Sequence, residues 1–163
     1  MSLSAGPAVH IRTMTGYDVE PLAAALGWPS YGIGRRWSEC LAGHREMYVA
    51  DVEGTPSASV SVNERPEFAG FLHLFALDVA KPLQSQGIGT RLIERVEDEA
   101  RSRHLAGVYL EVATLNKGAR RLYDRLGYSP DGKPFLNSWY RYDSEGNVSE
   151  EVVETVCRLV KRF

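Results

Sequence analysis

The chain has 163 residues, of which 44% are hydrophobic and 25% are charged, and its formal net charge is −2. This composition is typical of a soluble globular protein that is large enough for one hydrophobic core. We therefore predict a single domain over residues 1–163, with residues 1–6 disordered. The small net charge gives no reason to expect binding to nucleic acid or to an anionic membrane.

The cysteine and histidine content restricts the compartment and the chemistry. Cys40 and Cys157 form no C-x-x-C pair, and two cysteines are too few for a disulfide scaffold. The first ten residues lack the apolar run of a signal peptide, and no window reaches the roughly 18 apolar residues of a membrane helix. We expect a cytoplasmic protein. His10, His44 and His104 show no metal-ligand spacing, so we predict no metal.

Hydrophobic periodicity predicts alternating strands and helices. In chain order these are a strand at Val9–Met14, helices at Tyr17–Leu26 and Arg35–His44, strands at Glu46–Glu53, Ser57–Asn63 and Phe71–Val79, a helix at Thr90–Leu105, a strand at Gly107–Val112, a helix at Asn116–Leu126 and a strand at Phe135–Asp143. The loop Gly27–Gly34 carries Trp28 and Tyr31, which either pack internally or form a substrate-facing rim. This order of elements predicts a mixed α/β sheet.

The last stretch of the chain, Ser149–Phe163, predicts a closing helix. Ser149 stands at the N-cap position, and the apolar residues fall at helical spacing. They are Val152, Val153, Val156, Leu159, Val160 and Phe163. Such a stripe must be buried, either against the sheet of the same chain or in a homodimer interface.

The segment Leu77–Leu92 leads from an apolar strand through a glycine-containing loop into an amphipathic helix. Gly87 and Gly89 allow a ligand to approach the backbone. The helix that follows begins with unpaired N–H groups and a partial positive charge, so the segment predicts an anion site, most often for phosphate. A dinucleotide fingerprint needs a third glycine where Leu92 stands, and no P-loop pattern is present.

Two segments together resemble a known family. Gln84–Gly89 (QSQGIG) fits Q/R-x-x-G-x-G/A between a strand and a helix, and Leu110–Tyr128 (LEVATLNKGARRLYDRLGY) follows. Over Phe71–Tyr128 the chain resembles the GNAT family of N-acetyltransferases. The resemblance implies the acyl-CoA N-acyltransferase fold, with a mostly antiparallel sheet, a splayed parallel strand pair and flanking helices. It makes the closing helix an addition to the family pattern and implies acetyl-CoA as cosubstrate.

Carried over by position, the resemblance implies that the backbone of Leu77 and Val79 holds the pantetheine arm of acetyl-CoA. Gln84 matches the family's Q/R position and either contacts the ligand or bonds the backbone of its own loop. Asn116 matches an asparagine that contacts the cofactor arm, and the alternative is a helix N-cap. The amides that would surround the pyrophosphate belong to Ser85, Gln86, Gly87, Ile88, Gly89 and Thr90.

Three residues are candidate catalytic groups. Tyr123 matches the family tyrosine near the thioester sulfur, where a phenol with a pKa of roughly 10 can protonate a thiolate; the alternative is a core tyrosine. His73 stands where histone-acetylating members have their glutamate base, and Glu111 where members that acetylate ribosomal proteins have theirs. Either residue, or a water relay, would deprotonate the amine. The alternatives are a hydrogen-bonded strand histidine for His73 and a strand carboxylate paired with an arginine for Glu111. Strand alternation predicts that His73 shares a face with Leu77 and Val79.

The resemblance implies transfer of an acetyl group from acetyl-CoA to a primary amine, on a small molecule or a peptide, by direct attack in a ternary complex. The resemblance does not identify the acceptor. A non-catalytic acyl-CoA-binding sensor or structural module of the same fold is the alternative. A nucleotide-binding domain is disfavoured by the missing third glycine and the missing P-loop lysine.

Overall fold

The computed structural model describes residues 5–163, in which the chain forms eight strands and four α-helices. The strands are β1 (Val9–Thr13), β2 (Glu46–Val52), β3 (Thr55–Glu64), β4 (Phe71–Val79), β5 (Gly107–Ala113), β6 (Ser129–Pro130), β7 (Phe135–Tyr142) and β8 (Val148–Arg162). The helices are α1 (Val19–Leu26), α2 (Ser30–Leu41), α3 (Ile88–Ser102) and α4 (Lys117–Arg125). Of the segment expected to be disordered, residues 1–4 lie outside the described residues, and Ala5 and Gly6 are exposed outside any helix or strand.

The strands form one mixed sheet in which hydrogen-bonded neighbours follow the order β1-β2-β3-β4-β5-β8-β6, and β7 pairs with β8. β1 is antiparallel to β2, and β8 is antiparallel to β5, β6 and β7. β4 and β5 are parallel, with only three residue pairs, from Phe71–Gly107 to His73–Tyr109. This short pairing within a mostly antiparallel sheet confirms the predicted mixed α/β fold.

The chain packs into two compact units. One comprises the chain up to Ser61 together with Ala76–Glu94, and the other comprises Val62–Phe75 together with Arg95–Phe163. Strands β3 and β4 and helix α3 each contribute to both units. The single-domain organisation of the chain stays a prediction.

The first unit has a core between its two helices and the neighbouring strands. Leu22 and Ala23 of α1 and Ile33 of α2 pack with Met14 and Met47, and all five are buried. The apolar residues of α1 recur at i, i+3, i+4 and i+7, which gives the helix one buried face, as its sequence pattern predicts. They are Val19, Leu22, Ala23 and Leu26.

Asp18 is a buried carboxylate at the start of α1, with a side chain only 6% exposed. It accepts hydrogen bonds from Arg12 Nη1 at 2.8 Å, Arg12 Nη2 at 2.7 Å and the Thr15 backbone N–H at 2.8 Å. The hydrogen bonds from Arg12 hold the pKa of Asp18 below its ordinary value, although burial opposes them. Arg12 therefore fixes the entry of the chain into α1.

Asp18→Asn should lower the free energy of unfolding by about 1.5–3 kcal/mol at pH 7, because charge-assisted hydrogen bonds to Arg12 are lost. A depressed folded-state pKa contributes stability above the unfolded pKa of about 3.9, and this stability disappears as the pH falls through the folded value. The difference from wild type should therefore shrink below about pH 4 in urea titrations. Asp98→Asn, at a side chain 73% exposed, is the control. A gap that persists unchanged in acid would contradict this assignment.

The second unit is built on β5 and β8, whose buried residues include Val108, Leu110, Leu159 and Val160. The same unit contains a buried carboxylate with several hydrogen-bond partners. Glu97 is 5% exposed, and its carboxylate accepts from the Tyr128 hydroxyl at 3.1 Å and from Lys161 Nζ at 3.0 Å. A buried carboxylate requires such partners. Burial and the nearby Glu97 charge raise the pKa of Tyr128.

The predicted closing helix is wrong, because Val148–Arg162 forms the 15-residue strand β8. Ser149 therefore caps no helix. The chain has no appended C-terminal helix within the described residues, and the apolar stripe that suggested a dimer interface does not exist as a helical face. Residues rich in β-branched side chains favour a strand, and β8 pairs with three other strands.

Other differences from the predicted elements are local. Helix α2 begins at Ser30, so most of the predicted loop Gly27–Gly34 is helical. A two-residue turn at Glu53–Gly54 joins β2 and β3, so β3 begins two residues before the predicted strand Ser57–Asn63. Ala76 has a φ of 50°, which interrupts the regular pleat of β4. Alternation therefore no longer predicts a common face for His73 and the residues that follow Ala76.

Candidate active site

In the first unit, the glycine loop meets the start of α3. Ser85 has a φ of 63° and Gly87 a φ of 82°, and residues 84–87 are exposed. The Arg91 N–H donates to the Gly87 carbonyl at 3.1 Å, which marks the first turn of the helix. The N–H groups before Arg91 have no acceptor within the helix. A tight turn through left-handed residues can direct successive N–H groups toward a common side, which suits an anion. A Cβ at Gly87 would meet no atom within 4 Å, so the space above the loop is open.

Side chains of the same unit brace this loop. Gln84 Nε2 donates to the Val79 carbonyl at 3.0 Å, and Gln86 Nε2 donates to the Pro82 carbonyl at 3.2 Å. Gln84 thus makes the backbone contact that was one of its two predicted roles. A Cβ at Gly89 would lie 3.9 Å from Val79 Cγ2 and 4.0 Å from Leu77 Cδ2, so α3 packs closely on the end of β4.

The aromatic residues predicted as a possible rim also belong to the first unit. Trp28 and Tyr31 are each 40% exposed. The Arg36 guanidinium lies 5.3 Å from the Trp28 ring centre and donates to Asp78 Oδ2 at 3.0 Å. Trp28 is therefore engaged on one side by a cation that is itself fixed by β4.

In the second unit, α4 carries two predicted site residues. Asn116 is its N-cap, and Asn116 Oδ1 accepts from the Ala119 N–H at 3.1 Å. Tyr123 is 7% exposed, and its ring packs edge-on against Tyr128 at 5.6 Å. Gly127 follows the helix with a φ of 92°, in the left-handed conformation expected at C′. Asn116 is thus a helix N-cap and Tyr123 a core tyrosine, which are the alternative roles that the sequence offered for them.

His73 and Glu111, predicted as alternative bases, form one hydrogen-bonded pair in the second unit. His73 Nε2 lies 2.6 Å from Glu111 Oε2, and His73 Nδ1 lies 3.2 Å from Asn63 Oδ1. The imidazole is stacked between the rings of Phe75 at 4.9 Å and Tyr109 at 4.6 Å. Two hydrogen bonds and two ring contacts therefore fix the orientation of His73.

The Glu111 carboxylate is the more accessible member of the pair, with a side chain 15% exposed against 4% for His73. Burial alone would raise the pKa of Glu111, but the hydrogen bond from His73 and the positive charges of Arg158 and Arg65 hold it below its usual value. Burial also raises the pKa of Tyr109 to about 12. The carboxylate is thus ionised at neutral pH and held in a fixed hydrogen-bonded geometry.

Two residues next to the His73–Glu111 pair could not be identified from the sequence. Asn63 ends the predicted strand Ser57–Asn63, and an amide in an apolar strand was its only signal. Arg158 lies opposite Glu111 in the register of β5 and β8. The prediction of a closing helix concealed it, since a helix would not have paired with β5.

Two features are absent from residues 5–163. No group of three or more His, Cys, Asp or Glu side chains there is arranged to hold a metal ion. None of the helices in that range is long and apolar enough to cross a membrane.

Comparison with known proteins gives consistent matches. The model of the acetyltransferase (GNAT) family matches residues 16–128. N-acetyltransferase 8F1 of Rattus norvegicus is 34% identical over 84 residues, covering 52% of this chain and 38% of that protein. The ribosomal-protein-S18-alanine N-acetyltransferase structure from Escherichia coli has a TM-score of 0.69 at 19% identity, covering 95% of this chain and 94% of that one. An acetyltransferase from Bacillus anthracis str. Ames, in complex with acetyl coenzyme A, has a TM-score of 0.57 at 18% identity, covering 73% and 62%.

The fold and the family match agree, and the chain belongs to the acetyltransferase (GNAT) family. The family model covers well over half of the chain. The solved structures share the fold. The chain spans less than half the length of the first curated relatives it matches, between 38% and 49%.

Proposed function

We propose that the chain transfers an acetyl group from acetyl-CoA to a primary amine by direct attack in a ternary complex. The observation that carries this proposal is the 2.6 Å contact between His73 Nε2 and Glu111 Oε2. An ammonium must lose a proton before it can attack, and a held imidazole–carboxylate pair can accept one. No cysteine nucleophile is required.

The loop of the first unit would hold the donor. Its open surface, the two left-handed residues and the start of α3 fit a pyrophosphate, which would be bound by the backbone amides of residues 85–90. Leu77 and Val79 would hold the pantetheine arm through their backbone, and the family resemblance assigns a cofactor contact to Asn116. When bound, acetyl-CoA supplies the acetyl group as a thioester, whose carbon–sulfur bond is exchanged for the carbon–nitrogen bond of the amide.

Glu111 would receive the proton of the amine, because it is the more exposed member of the pair. His73 has an oxygen atom beside each ring nitrogen. These two contacts fix the ring of His73 against the Glu111 carboxylate, and Asn63 acts as a positioning residue.

The proposal is tested by ligand binding and turnover. Thermal melts with acetyl-CoA, CoA, ATP and NAD should show stabilisation by the two CoA compounds alone. Thiol release should then depend on an added primary amine across a panel of small amines, amino acids and peptides. Stabilisation by CoA compounds with no thiol release over a broad panel would favour the sensor. Stabilisation by ATP or NAD alone would contradict the donor site.

Tyr123→Phe should lower kcat by roughly 100-fold, because the variant lacks the hydroxyl that protonates the leaving sulfur. The affinity for acetyl-CoA should change little, since the ring remains. Tyr128→Phe is the matched control: its hydroxyl bonds Glu97, so the melting temperature should fall while kcat is kept. If kcat were unchanged in Tyr123→Phe, the tyrosine would not be the acid.

A further inference from the structure

A second charged group, which the proposed reaction does not use, stands beside Glu111. Arg158 lies on β8 directly opposite Glu111 on β5, so both side chains project from the same face of the sheet. Its guanidinium carbon is 5.0 Å from the ring centre of Phe68, 5.4 Å from that of Phe135 and 5.8 Å from that of Tyr109. Three aromatic rings therefore hold the guanidinium on the same face as the carboxylate.

The hydrogen-bonding capacity of Arg158 is not used up. Its Nε is buried and has no hydrogen-bond partner among residues 5–163. A buried donor without a partner is unfavourable, so the guanidinium has a hydrogen bond left to make. Arg158 also takes part in no ion pair in the described part of the chain. A bound anion would satisfy the guanidinium, which is a planar fork that matches a carboxylate.

The charges of Glu111 and Arg158 select among amines. An acceptor whose only charge is an ammonium would be attracted by the Glu111 carboxylate but repelled by the Arg158 guanidinium. A zwitterion places an ammonium and a carboxylate a few ångströms apart, which complements the neighbouring carboxylate and guanidinium. Polyamines and lysine side chains lack that second charge.

An exposed apolar surface continues from Arg158 along β7. Phe135 and Trp139 are 37% and 39% exposed. They project from the same face of β7 and pair with Val156 and Val152 of β8. Phe135 belongs both to this surface and to the ring set around Arg158. An acceptor with its carboxylate at Arg158 would therefore place an apolar group against these partly exposed rings.

We propose that Arg158 binds the carboxylate of the acceptor and that the acceptor is a free α-amino acid with an apolar side chain. This inference rests on the proposed acetyl transfer. Glu111 would face the amine, Arg158 the carboxylate, and Phe135 and Trp139 the side chain. Arg158 is then a specificity-determining residue.

The test compares matched acceptors that differ only in the carboxylate. L-phenylalanine, L-phenylalaninamide and phenethylamine share a ring and an amine, as do L-leucine, L-leucinamide and isoamylamine. We expect kcat/KM for each amino acid to exceed that for its amide and its amine by at least tenfold. Arg158→Gln should bring these ratios close to one, and Arg158→Lys should restore them in part. Arg162→Gln removes the same charge from the same strand and should leave the ratios unchanged.

Calorimetric titration of the six compounds into the wild-type chain and Arg158→Gln, both saturated with CoA, separates this inference from the proposed function. Binding of the amino acids that Arg158→Gln abolishes, without turnover, would overturn the acetyl transfer and keep the carboxylate site. Turnover of amines with no preference for the carboxylate, or a preference that Arg158→Gln leaves intact, would overturn the site and keep the reaction. Failure of the amino acids both to bind and to react would also overturn it.

Discussion

Glu111→Gln should lower kcat by about 10²- to 10⁴-fold, the usual contribution of a positioned general base. The substitution keeps the size of the side chain and removes its charge. Gln can still accept the hydrogen bond from His73 through its amide oxygen, so the stacked imidazole should stay in place. The affinity for acetyl-CoA should remain within about twofold, because the loop amides that would bind the pyrophosphate belong to the other unit.

The pH–rate profile provides a second measurement of the same variant. Wild-type kcat/KM should fall toward acid as the Glu111 carboxylate becomes protonated, and Glu111→Gln should lose this acidic limb. Because the pKa of Glu111 is held below its usual value, the wild-type carboxylate is charged at neutral pH. The full difference in rate between wild type and Glu111→Gln should therefore be seen there. Glu150→Gln, a surface carboxylate paired with Arg141 at 3.4 Å, is the control and should match wild type.

A double variant tests whether His73 and Glu111 act as one unit. If they do, His73→Gln combined with Glu111→Gln should be no slower than the worse single variant, because either change alone already breaks the pair. Multiplying losses would mean two independent roles. Melting temperatures of all three variants would show whether the fold is retained.

The residue types of this pair could be predicted from the sequence, but their contact could not. His73 and Glu111 were each identified from their distance to a motif. Their pairing depends on the parallel register of β4 and β5, in which His73 lies opposite Tyr109, two residues before Glu111. Register between strands that are distant in the chain is set by packing and not by local pattern.

The error at β8 has a physical origin in the same kind of tertiary context. The buried part of β8 is covered on both faces, so Val156 and Val160 are buried on one and Cys157 and Leu159 on the other. Buried positions at i, i+1, i+3 and i+4 match a helical stripe. A strand covered on both sides thus imitates a helix, and β-branched composition was the better indicator.

The glycine loop was the most predictable feature of the chain. Its motif sets the local backbone, and the structure gives the positive φ at Gly87 and the start of α3 next to it. Interactions between neighbours in sequence determine both. Asn63 and Arg158 lie beside His73 and Glu111 because neighbouring strands bring them there. Sequence pattern alone therefore did not find them.

Gly107→Ala should destabilise the second unit by about 3 kcal/mol or more, at the upper end of overpacking effects. A Cβ built at Gly107 would overlap the Lys161 carbonyl oxygen and would lie 3.0 Å from Phe71 Cε1. The first of these atoms is backbone, so β8 must move away from β5 to make room. That movement would break pairing along the strand that carries Arg158 and would disturb its position opposite Glu111.

Gly118→Ala is the matched control in the same unit. A Cβ there would meet only Asn116 Oδ1, at an ordinary contact distance of 4.0 Å, and alanine is a better helix former than glycine. Its free energy of unfolding should equal or slightly exceed that of wild type, whereas Gly107→Ala should unfold at much lower urea. Equal urea midpoints for Gly107→Ala and wild type would mean that β5 and β8 do not approach as closely as described. Because the clash involves backbone, a change in the Phe71 side chain such as Phe71→Leu should not restore the stability of Gly107→Ala.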